Sequence, residues 1–143
     1  MNTIGLCSDH AGFETKEFIK QLLDSKGFPY KDFGTFSSDS CDYPDYAHPL
    51  AYAVERGEVY PGIAVCGSGA GISMALNKHR DIRAALCWNA DIATLSRRHN
   101  DANVLALPGR FISKEETTKA VEAFLQTPFE GGRHKIRIEK IPL

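Results

Sequence analysis

The sequence predicts a three-layer α/β/α sandwich built on a five-stranded parallel sheet. Short apolar runs alternate with amphipathic stretches at helical spacing, turn residues separate the two kinds of segment, and the strand-then-helix order repeats five times. Repeated β-helix-β connections force parallel strands. An open parallel sheet of this kind buries both faces under helices.

The first strand, 3–8, carries Ile4, Leu6 and Cys7. The helix at about 12–26 gathers Phe18, Ile19, Leu22 and Leu23 on one face and stops at Gly27. A strand at 28–33 leads to a helix at 44–56, where Ala47, Leu50, Ala51 and Val54 share a face and Gly57 follows the end. The third strand, 61–66, is the run Gly62-Ile63-Ala64-Val65-Cys66, and the helix at 71–79 spaces Ile72, Ala75, Leu76 and His79. Strand 83–87 and helix 90–99 precede strand 103–107 and helix 114–126. Ser113-Lys114-Glu115-Glu116 reads as a capping box, and Ala120, Val121, Phe124 and Leu125 form the buried face behind it. The result is a Rossmann-like arrangement.

A chain of 143 residues suits one domain, 1–143, with 128–143 as a C-terminal arm whose Ile136, Ile138 and Ile141 pack outside the sandwich. No apolar run approaches bilayer length, so no membrane partner is expected. The strand-like Thr3 to Cys7 follows the first two residues directly, with no basic and then apolar leader pattern, which predicts a cytoplasmic protein. A net charge of -1 gives no general attraction to nucleic acid. Cysteines 7, 41, 66 and 87 have neither zinc-site spacing nor the density of a disulfide scaffold and read as free thiols. Cys7 and Cys87 fit buried strand positions, and Cys41 fits a polar loop. Neither a metal nor a cofactor is expected.

In open parallel sheets the ligand site lies beyond the carboxyl ends of the strands, which makes 8–12, 34–45, 66–71, 87–89 and 108–111 the candidate rim. The most informative point on it is Cys66, which opens into Gly67-Ser68-Gly69-Ala70-Gly71 and then a helix. The N-terminus of a helix presents backbone N–H groups and a positive dipole end, which favour an anion and a thiolate. Other uses of such a loop fail on Ile72. A dinucleotide fingerprint needs a glycine there, a Walker loop needs Lys after its last glycine, and a Cys-x5-Arg phosphatase needs arginine.

Asp9 and His10 end the first strand on the same rim, where a helix cap and a functional pair are equally good readings until position favours the second. His99-Asn100-Asp101 closes the fourth helix, where a cation on the dipole with Asn as the cap is the simplest account. Arg110 follows the fifth strand, and Arg133 and Arg137 stand one helical turn apart in the arm, spaced to clamp a phosphate.

Together these residues resemble the type B ribose-5-phosphate isomerase family. The resemblance rests on Ser8-Asp9-His10-Ala11-Gly12, Asp42-Tyr43-Pro44, Cys66 to Ile72, Arg97-Arg98-His99-Asn100 and Gly131-Gly132-Arg133-His134, in that order along the whole chain. It implies interconversion of D-ribose 5-phosphate and D-ribulose 5-phosphate through an enediolate, without a metal. Galactose 6-phosphate and allose 6-phosphate isomerases belong to the same family and supply the alternative substrates. The resemblance casts Cys66 as the base, and His99 with Asp9 as the pair that opens the sugar ring. One branch of the family carries glutamate where this chain has Ile72, which cannot accept a proton. The backbone of Gly67, Ser68, Gly69, Ala70 and Gly71 would stabilise the enediolate, with Ser68 standing where many relatives have threonine. His10, Arg110, Arg133 and Arg137 would hold the phosphate, while Asp9, Tyr43 and Asn100 contact the sugar. Two other readings compete: a non-catalytic sugar-phosphate sensor, and a thiol-dependent transferase with a covalent intermediate.

Cys66 and His99 pose a geometric problem. The fourth helix starts at the rim and runs back, so about ten residues at ~1.5 Å each carry His99 roughly 15 Å from it. A site using both residues needs His99 and Asn100 from a neighbouring subunit, which predicts a homodimer with shared sites. Pairing of such dimers into tetramers is left open.

Overall fold

The computed structural model describes residues 2–143. Its strands are β1 (Ile4–Ser8), β2 (Tyr30–Asp32), β3 (Gly62–Cys66), β4 (Ala84–Leu86) and β5 (Val104–Pro108). Its helices are α1 (Phe13–Lys26), α2 (Pro44–Glu55), α3 (Ala70–Leu76), α4 (Ala90–Asn100), α5 (Lys114–Gln126) and α6 (Arg133–Ile138). All strand pairs are parallel, in the order β2-β1-β3-β5-β4. The sheet and its flanking helices follow the expected sandwich.

Alternation along the three central strands divides the core into two layers. Ile4, Leu6, Ile63, Val65, Leu105 and Leu107 face α1, α4 and α5, where Ile19, Leu23, Ala93, Val121 and Phe124 meet them. Cys7, Ala64, Cys66, Val104 and Ala106 face α2 and α3, against Leu50, Ala51, Ile72 and Leu76. Each fully buried Leu or Ile contributes roughly 2 kcal/mol through removal of apolar surface from water. Cys7 and Cys87 are completely buried, as expected of small hydrophobes. Burial pushes both thiols up, Cys87 to about 11, so neither ionises near neutral pH.

Three local departures have physical reasons. The third helix stops at Leu76 rather than reaching His79, because the Asn77 side chain clamps Ala84 on the sheet edge, donating to its carbonyl at 3.0 Å and accepting its N–H at 2.8 Å. Only the serine half of the capping box forms: Ser113 Oγ accepts the Glu116 N–H at 3.0 Å, while the Glu116 carboxylate reaches across to the Ala90 N–H that starts α4. At the end of α4 the left-handed cap is Asp101, at φ 46°, and not Asn100. Its carboxylate accepts from Arg97 Nη1 at 2.8 Å, and its backbone N–H returns to the Arg97 carbonyl.

The arm contains α6 and returns along α4, where the Glu130 N–H donates to the Arg98 carbonyl at 3.1 Å. Ile136 and Ile141 remain largely exposed, so the apolar pattern of the arm is not covered within the chain.

Candidate functional site

The strand order reverses between β1 and β3, where ligand crevices of open sheets lie. The loops leaving those strands carry Asp9-His10 and Cys66 to Gly71. The expected rim therefore forms, and each of its side chains has a definable position.

Asp9 is 6% exposed, and its Oδ1 accepts the Gly12 N–H at 3.0 Å, which ties the carboxylate to the entry of α1. His10 Nδ1 accepts the Cys41 N–H at 3.2 Å. A neutral His10 consequently carries its proton on Nε2 and offers it as a donor. Cys41, expected as an incidental loop residue, thus fixes the tautomer of a rim histidine.

Cys66 ends β3 at 4% exposure and is shielded from bulk water. Its carbonyl accepts the Gly109 N–H at 2.8 Å, and the Gly67 carbonyl accepts the Arg110 N–H at 3.0 Å. Arg110 is thereby drawn over the glycine loop, so that a methyl group on Gly67 would lie 3.5 Å from Arg110 Nη1. Gly69 caps α3 at φ 77°, a left-handed conformation that side chains resist, and a Cβ there would sit 2.4 Å from Leu86 Cδ1. Gly71 admits Tyr43, since a Cβ would come within 2.6 Å of Cζ and 2.9 Å of the hydroxyl. Ala70 does not present its N–H freely, because Ser68 Oγ accepts it at 3.2 Å. Ile72 is fully buried in the core beneath the loop.

The remaining candidates lie elsewhere. Arg83, immediately before β4, donates from Nε to the Asn100 carbonyl at 3.1 Å, which fixes the end of α4 at the amino side of the sheet. His99 stacks on His134 with centroids 4.4 Å apart, and the exposed Arg133 and Arg137 extend from α6 beside it. Asn100 also lines a cavity of about 650 Å³ between the end of α3, the β4 edge and Ile141 to Leu143, away from Cys66. One chain therefore places the candidate residues in two separate groups. The first comprises Asp9, His10, Tyr43, Cys66 to Gly71 and Arg110, and the second His99, Asn100, Arg133 and Arg137.

Two features escaped the sequence reading. Lys16 is buried on α1 at 1% exposure, 2.6 Å from Asp32. Folding also gathers His99, Glu130 and His134 into a cluster of metal-ligating type, where linear spacing had suggested none. Only the four-residue step from Glu130 to His134 hinted at it.

The fold and rim define an α/β protein of the open parallel-sheet class, with a shielded thiol and a glycine-rich loop at its switch point. Residues 4–141 match the family model described as Ribose/Galactose Isomerase, and the chain belongs to that family. It is 46% identical over 141 residues to ribose-5-phosphate isomerase B of Escherichia coli strain K12, covering 99% of this chain and 95% of that protein. Among solved structures, a ribose 5-phosphate isomerase of Thermotoga maritima superimposes with a TM-score of 0.97 at 50% identity, covering 99% of this chain and 97% of that one. Ribose-5-phosphate isomerase B from Mycoplasma genitalium, solved with bound ribulose 5-phosphate, gives a TM-score of 0.91 at 40% identity, covering 97% and 93%.

Proposed function

We propose that this protein is an aldose-ketose isomerase interconverting D-ribose 5-phosphate and D-ribulose 5-phosphate. The observation that carries the reading is the near-complete superposition on a relative holding ribulose 5-phosphate, in a chain that keeps a shielded cysteine beside a glycine-rich loop. The isomerase reading is favoured over a sensor or a thiol transferase. Ribose 5-phosphate is favoured over the hexose 6-phosphates.

In this reading His99, with Asp9, opens the furanose ring. Cys66 then takes the C2 proton and returns it to C1, while a hydroxyl proton passes from O2 to O1. No net oxidation occurs, so no redox partner or metal is assigned a role. A thiolate is a weak base for a C–H bond, and the charge developing on oxygen must be stabilised where it forms. Backbone donors in the stretch Gly67 to Gly71, apart from the Ala70 N–H already taken by Ser68, serve that purpose at about 3 kcal/mol each. His10 Nε2–H, Arg110, Arg133 and Arg137 hold the phosphate, and Asp9, Tyr43 and Asn100 orient the sugar.

The two half-sites complete each other only between subunits. We therefore assign the working form to a two-fold homodimer in which one subunit lends His99, Asn100 and the arm arginines to the Cys66 rim of its neighbour. The exposed Ile136 and Ile141 of the arm, and Met74 beside the rim, supply apolar surface for such a contact. No helix of the described residues is long and apolar enough to cross a membrane. A phosphorylated sugar substrate, which does not cross membranes unaided, supports a cytoplasmic location.

The test compares initial rates with ribose 5-phosphate, allose 6-phosphate and galactose 6-phosphate. The expected preference is for the pentose phosphate, by kcat/KM. Turnover of a hexose phosphate alone would reassign the substrate, and tight binding without turnover would return the protein to the sensor class.

A further inference from the structure

Three side chains meet where the arm folds against the end of α4. Glu130 Oε1 lies 3.9 Å from His99 Nε2 and 4.0 Å from His134 Nε2, and ligating atoms of all three residues fall within 4.8 Å of one another. We propose that His99, Glu130 and His134 form a site for a divalent transition-metal ion such as Zn²⁺ or Co²⁺, and that an ion bound there inhibits turnover by taking His99. The inhibitory half rests on the role given above to His99. The metal site itself does not.

The donor set suits the ion. Two imidazoles and one carboxylate are a recurring zinc set that leaves a coordination position open, and imidazole nitrogen is well matched to zinc and cobalt. Ligands ~2.0–2.1 Å from a tetrahedral ion stand roughly 3.3 Å apart, so the present spacing must contract by about 1 Å. The rings lie within 12° of parallel, and one must tilt before both nitrogens can point at a single ion. His99 and Glu130 have the freedom to adjust, with 41% and 46% of their side chains exposed. The frame beneath them is fixed, since the Glu130 N–H donates to the Arg98 carbonyl and the His134 N–H to the Gly131 carbonyl.

Arg133 and Arg137 flank His134 on the same short helix and repel a cation. The site is consequently one filled by excess ion and emptied by chelator, as inhibition requires.

Cobalt titration of the full-length protein tests the site directly. The expected result is one ion per chain, with visible ligand-field absorption and no thiolate charge-transfer band in the near ultraviolet. Glu130→Gln should weaken binding roughly tenfold or more, because loss of even an outer-shell partner costs 10–100-fold. It should leave metal-free turnover and the unfolding temperature unchanged, and should relieve zinc inhibition in parallel. Thiolate bands, or equal affinity in Glu130→Gln, would show the ion on cysteines or elsewhere and overturn the site. Glu130-dependent binding without loss of turnover would overturn the inhibitory half alone. Failure of the isomerase reading would appear separately, as absence of turnover in metal-free protein.

Discussion

The Lys16 ammonium lies 2.6 Å from the Asp32 carboxylate, and Asp32 in turn accepts the Gly34 N–H at 2.8 Å, so a buried ion pair braces the start of the loop that carries Cys41 and Tyr43. Burial opposes charge on Asp32, but the hydrogen bonds from Lys16, the Gly34 N–H and Lys20 outweigh it and hold the carboxyl below its ordinary range. A lowered folded pKa stabilises the protein above the unfolded pKa, and that contribution is lost as pH falls through the folded value. Asp32→Asn should therefore cost about 3 kcal/mol at pH 7, because it strands Lys16 without its nearest counter-charge. The deficit should shrink as the pH falls and wild-type Asp32 itself becomes protonated. Urea unfolding of both proteins across acidic and neutral pH checks this, and an equal deficit throughout would mean that the ion pair is not its source.

Cys66→Ala should reduce kcat by roughly 10³-fold, the scale of a lost general base, while substrate binding stays nearly intact. In the proposed reaction the sulfur acts on a C–H bond and not on the phosphate. Calorimetric titration with ribose 5-phosphate, run beside the rate assay, separates the two effects. Substantial residual turnover would remove Cys66 from the role of base.

Chelation should not lower activity. The proton transfer assigned to Cys66 uses no Lewis acid, and an ion on His99 would only hinder ring opening. Rates measured before and after EDTA should match, or rise where metal was carried through purification. A loss restored by added divalent ion would overturn the mechanism as drawn.

Arg137→Ala should raise KM for ribose 5-phosphate about tenfold or more, the effect of one lost charge-assisted contact of roughly 1.5–3 kcal/mol. The unphosphorylated sugar should be far less affected. Steady-state kinetics on both substrates isolate the phosphate contribution. Equal losses with the two would make the arm a structural element.

The Cys66 end of the site was legible because its signals are local. An apolar run ending in cysteine, glycine and a new amphipathic period marks a strand, a turn and a helix without reference to anything distant. Asp9 and His10 were placed by topology, since a strand end in an open parallel sheet is a rim position. Glu116 was misread because a capping box is a local pattern, whereas its carboxylate has a partner 26 residues away at Ala90. Lys16 left a readable trace, a lysine three residues before the buried Ile19 on one helix face, but its partner Asp32 belongs to another element. The meeting of His99, Glu130 and His134 depends on the path of the arm across α4, which no local periodicity encodes.

The separation of the half-sites leads to the most demanding prediction. Asn100 is fastened by Arg83 at the amino side of the sheet, while Cys66 lies at the carboxyl end of β3. The eleven residues of α4 span roughly 16 Å between those levels, more than a side chain can bridge. A single chain cannot present His99 to a sugar held over its own Cys66. In the proposed two-fold dimer each site would take Cys66 from one subunit and His99 from the other. Cys66→Ala and His99→Ala proteins, each inactive alone, should therefore regain activity when mixed under conditions of subunit exchange. A mixed dimer holds one doubly damaged site and one intact site, so random exchange should approach roughly a quarter of wild-type activity. The measurement is turnover against time, with exchange followed independently by mass spectrometry of differently tagged chains. Verified exchange without recovered activity would place both residues in one chain's site and overturn the shared-site dimer.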